Sequence, residues 1–159
     1  MVDLKKIPVS RAEIRLTAVA AGWEAAFICG LVATTVLWAL YAAAAGSPER
    51  GELSVGVVVL CLVGGFLAHL AGGALAARLA GENGGLHGAL TAAVGLVAGA
   101  VLAPTLAVYG QTLLIGVAAP PVSFGVTVVA LLFGVLLLGA NLAGGYVGGR
   151  LVELAGGRY

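Results

Sequence analysis

The sequence predicts an all-α membrane protein: four transmembrane helices forming two parallel-repeat helical hairpins around a pseudo-two-fold axis along the membrane normal. Three observations lead there. The 159 residues are 61% hydrophobic and only 9% charged, where a soluble domain carries about 25% charged residues. Four apolar runs each reach the roughly 20 residues that a helix needs to cross a bilayer. One short phrase is also written twice. His69-Leu70-Ala71-Gly72-Gly73-Ala74-Leu75-Ala76-Ala77-Arg78-Leu79 returns as Asn141-Leu142-Ala143-Gly144-Gly145-Tyr146-Val147-Gly148-Gly149-Arg150-Leu151. Each copy closes an apolar run with an arginine, as the end of a membrane helix does.

The first span is expected at about 18–45, after a cytoplasmic segment 1–17 whose Lys5-to-Arg15 stretch suits a short interfacial helix. Basic residues before it and Ala42-Ala43-Ala44 at its end resemble a signal peptide. The apolar stretch is much longer than the 7–15 residues of a signal core and contains Glu24, so it reads as a retained helix. The second span is expected at about 55–77, after the polar turn Ser47-Pro48-Glu49-Arg50-Gly51. Gly81-Glu82-Asn83-Gly84-Gly85 is the next turn, with Gly81 suited to a helix C-cap. The third span, about 86–109, should kink at Pro104. An apolar Gln111–Gly125 loop with Pro120-Pro121 leads to the fourth span at about 124–149, and 150–159 is a cytoplasmic tail. Backbone amides in lipid need internal partners, so each span must be helical.

Seven of the eight basic residues fall on one side of this topology; Arg50, beside Glu49 and Glu52, is the exception. The positive-inside rule then places both termini in the cytoplasm of a multi-pass plasma-membrane protein. A net charge of +1 gives no electrostatic case for a nucleic-acid partner. Cys29 and Cys61 lie inside apolar runs without ligand spacing and read as small buried apolar residues.

Small residues form two parallel rows in the second span: Gly64, Ala68, Gly72, Ala76 and Gly65, His69, Gly73, Ala77. The fourth span repeats them as Ala140, Gly144, Gly148 and Asn141, Gly145, Gly149. A spacing of four lies along one helix face, and small faces bring membrane helices together. Spans two and four are therefore expected to pack on each other near the axis. His69 and Asn141, each nine residues before its arginine, should be neighbours, about 13 Å above the cytoplasmic boundary.

An ionisable group at that depth suggests a proton relay or substrate contact; the structural alternative is one interhelical hydrogen bond. Glu24 follows Trp23, a natural interface anchor, and its expected role is an ion pair with Arg78 or Arg150 at the inner rim. Its functional alternative is a proton-coupling carboxylate. His87 should be solvated or cap a turn.

The chain resembles the duplicated four-helix proteolipids of rotary ATPases in length and small-residue content. That family needs a carboxylate in the middle of the second helix of a hairpin, where this chain has His69 and Asn141. The stretch from Gly64-Gly65-Phe66-Leu67-Ala68 through Gly84-Gly85-Leu86-His87-Gly88-Ala89-Leu90 looks like a group of small, uncharacterised four-helix membrane proteins of bacteria and archaea. Those share a GGxxAG-type helix end, a glycine turn and an HGA-like helix start. The resemblance implies a fold and a location, and no activity.

No GxSxG, HExxH or P-loop motif is present, so neither an enzyme nor a cofactor is expected. The leading expectation is a protein acting through helix packing: an accessory, assembly or scaffold subunit, or a self-associating oligomer, with lipids and membrane proteins as partners. The alternative is a small transporter or channel using Glu24, His69 and Asn141 along a path.

Overall fold

The computed structural model describes residues 14–45, 55–114 and 124–156. Every element among them is helical: α1 (Leu16–Ala45), α2 (Val55–Ala80), α3 (Gly84–Leu114) and α4 (Phe124–Gly156). Three stretches, Leu16–Ala44, Val55–Ala80 and Leu131–Gly156, are long and apolar enough to cross a membrane. In α3 the apolar stretch among the described residues is Gly84–Gly99, and the helix continues without a break past Pro104. The Ser47–Gly51 turn, Arg50, Arg158 and the Lys5–Glu13 stretch lie outside the described residues, as does most of the expected Gln111–Gly125 loop.

Two ends differ from expectation. Helix α3 extends to Leu114, and α4 continues past Arg150 to Gly156 where a tail was expected. Leu151, Glu153, Leu154 and Ala155 are good helix formers, and no glycine or proline interrupts them. Between α2 and α3 the turn is tight. Gly81 takes φ +76°, and its N–H donates to the Ala77 carbonyl at 3.0 Å, the αL form of helix ending.

Helix α2 touches all three others, α3 also touches α1 and α4, and α1 and α4 do not meet among the described residues. An exact two-fold would pair α1 with α4 just as it pairs α3 with α2; the bundle has only the second contact.

Glycine explains how close these helices come. A methyl group at Gly73 would overlap the Gly145 carbonyl; at Gly144 it would meet the Phe66 carbonyl, and at Gly148 that of Leu70. The two rows of α4 therefore do different work. Gly144 and Gly148 face α2, while Gly145 and Gly149 face Gly88 and Gly84 of α3. In α2, Gly72 meets Gly22 and Ala26 of α1, and Gly73 meets α4. Among the described residues no backbone–backbone hydrogen bond joins these helices at the glycines; close backbone-on-backbone packing brings dispersion contacts instead.

Candidate functional site

His69 and Asn141 lie where α2 faces α4. His69 Nδ1 donates to the Gly65 carbonyl one turn earlier, at 3.0 Å. That acceptor fixes the Nδ1–H tautomer. The Asn141 amide faces two carbonyls, which accept only, so its nitrogen belongs on that side. It then donates to Gly65 O and Leu137 O, each at 3.3 Å. The two residues expected to be neighbours share one acceptor. The other ring nitrogen of His69, Nε2, faces Gly95 of α3, 3.4 Å from where a Cβ would stand there. The Trp23 indole covers the same glycine at 3.3 Å. Trp23 thus sits at the level of His69.

His87 is the polar residue that sequence reasoning undervalued. It is fully buried. Its Nδ1 donates to the Asn83 carbonyl at 3.0 Å, and its Nε2 accepts the backbone N–H of Arg15 at 3.1 Å. Asn83 itself adopts φ 50°, which turns its carbonyl toward both the ring and the His87 N–H, 3.0 Å away. An imidazole thereby ties the start of α3 to an otherwise unsatisfied donor at the start of α1. Thr91, also fully buried, returns its hydroxyl to the Gly88 carbonyl at 2.6 Å. Among the described residues no buried side-chain nitrogen or oxygen lacks a partner.

The expected Glu24–arginine pair is not formed. Glu24 lies on the exposed side of α1, and α1 and α4 are not neighbours. Arg150 pairs instead with Glu153, one turn further along α4, a residue that fell in the expected tail. Glu153 also accepts the Gly85 N–H at 3.3 Å, stitching α4 to the start of α3. Arg78, the repeat equivalent of Arg150, has no ion-pair partner within 4.0 Å among the described residues.

Cys29 and Cys61 are free thiols, half-buried as small apolar residues. No group of three metal-ligating side chains occurs among the described residues. Two adjoining surface grooves, of about 530 and 470 Å³, open between the C-terminal ends of α2 and α4, and none of Glu24, His69 or Asn141 lines them. No protein-family model, curated protein or solved structure matches the chain.

Proposed function

We propose that this chain is a non-enzymatic, four-crossing protein of the plasma membrane, with both termini cytoplasmic, that works by associating with another membrane helix through the outer face of α1. The observation that carries this reading is Glu24. It lies nine residues along the chain from Arg15, about 13 Å deeper, and on the exposed side of a helix apolar enough to span. A carboxylate held against lipid there costs about 3 kcal/mol on insertion scales. A second copy, or a partner helix offering a donor, removes that cost. Interior polar groups are satisfied within the bundle and line neither groove, which favours packing over the transport alternative. The two hairpins are parallel repeats whose approximate axis passes beside the contact of Gly73 with its equivalent Gly145, with α3 drawn in against α2.

Cysteines placed one at a time along α1 in a Cys29→Ala, Cys61→Ala background test the association. Cross-linking in native membranes should peak at Phe27, Ile28 and Leu31, on the exposed side near Glu24, and Glu24→Leu should change its yield at least severalfold. Uniformly absent cross-links to itself or to any other protein, with a monomer in lipid nanodiscs, would remove the reading.

A further inference from the structure

The grooves between α2 and α4 differ in chemistry although they adjoin. The larger is walled by Leu70, Ala74, Gly148, Leu151 and Ala155, and Arg78 stands at its end. The smaller shares Arg78 and adds Glu82 and Glu153. Leu70 and Arg78 are eight residues apart on α2, so the apolar wall descends about 12 Å from the guanidinium. Gly148 brings α4 onto the Leu70 backbone, and the small residues Ala74 and Ala155 leave the hollow beyond that contact.

The two arginines of the repeat have opposite fates. Arg150 is closed by Glu153 on the same helix. Arg78 has an acid four residues on, Glu82, but α2 ends at Ala80 and Gly81 turns the chain away. The two exposed charges border one groove without coming within 4.0 Å of each other. An open cation–anion pair above an apolar channel is complementary to a zwitterionic headgroup on an acyl chain.

We propose that the two adjoining grooves together bind an aminophospholipid: the acyl chain lies along Leu70, Ala74 and Leu151 of the larger, the phosphate sits on the shared Arg78, and the primary ammonium reaches Glu82 of the smaller. Arg78 supplies a planar fork suited to phosphate oxygens. Glu82 accepts N–H donors, which a primary ammonium has and a trimethylammonium lacks. A headgroup without an ammonium leaves Glu82 unmatched and repelled by its own negative charge. Helix α1 does not border the groove, so lipid binding stands or falls separately from association at Glu24, although it shares the membrane assignment.

Native mass spectrometry of the full chain, titrated with phosphatidylethanolamine, phosphatidylcholine and phosphatidylglycerol of identical acyl chains, is the test. Phosphatidylethanolamine should bind about tenfold more tightly than the other two, the size of one charge-assisted hydrogen bond. Glu82→Gln should abolish the preference over phosphatidylcholine, weakening phosphatidylethanolamine binding more than phosphatidylcholine binding. Arg78→Gln should weaken all three, and Leu151→Trp, at an exposed position, should block retention. Equal binding of the three lipids by the wild type, a preference for phosphatidylglycerol, no retained lipid, or a preference untouched by Glu82→Gln would each overturn the proposal. Monomer–oligomer ratios from the same spectra report the Glu24 association independently.

Discussion

His69 and Asn141, at matching places in the two repeats, converge on a single carbonyl, that of Gly65. One donor comes from the next turn of the same helix and the other from a different helix. Each therefore competes with the other for the same lone pairs, and their energies should not be independent.

Alanine at either position should cost about 1 kcal/mol beyond lost packing, because the remaining side-chain donor can improve its own bond to the shared carbonyl. The double alanine variant should lose more than the two singles added together. A double-mutant cycle on unfolding in detergent measures this coupling; strict additivity would mean that the acceptor is not shared.

Alanine at Gly73 or Gly148 should destabilise the bundle by about 1–3 kcal/mol, the usual cost of overpacking. Alanine at Gly134 or Gly139, where nothing stands within 4 Å of the added methyl, should be neutral or gain helix propensity. Thermal unfolding of the four variants in one detergent decides the matter, and equal effects at all four would contradict the close approach of α2 and α4.

His87→Ala should release the Arg15 N–H. Losing about 1 kcal/mol of hydrogen bond corresponds to roughly fivefold faster amide exchange at that residue, read by hydrogen–deuterium exchange. In the wild type, imidazole ¹⁵N NMR should show a protonated Nδ1 and a bare Nε2, since Asn83 offers an acceptor and Arg15 a donor. The opposite tautomer would rule out the bridge.

Glu49→Cys in the cysteine-free background should react with impermeant thiol reagents added outside intact cells, and Asn83→Cys should not. Described contacts already gather the start of α1, the end of α2, the start of α3 and the end of α4 at one end of the bundle. That end carries Arg15, Arg78 and Arg150, which fixes the expected sign. The reverse labelling would invert the topology.

Much of the architecture is written in composition and period. Runs of about 20 apolar residues leave no alternative to helices, and rows of glycine and alanine mark the faces that meet. Which row meets which helix is not written. The Gly72 and Gly73 rows each carry two glycines, and only the three-dimensional arrangement sends one to α1 and the other to α4. Depth along the chain matches Glu24 to the arginines, and depth carries no information about direction around a helix. Glu153 was missed because Arg150 looked like the end of α4, although an arginine at a membrane rim ends the apolar run and need not end the helix. His87 was undervalued because its partner is the backbone N–H of Arg15, 72 residues away, and a backbone donor leaves no trace in side-chain pattern.

That last bond sets an order of events during synthesis. The first turn of α1 leaves the ribosome long before His87 does, and until the imidazole arrives the Arg15 N–H must be held by water or by a chaperone. The leading hairpin can form first, but its corner at Arg15 stays unfinished until the start of α3 folds down beside it. A chain truncated after α2 should therefore present an open end to the quality-control machinery, and the third helix closes it.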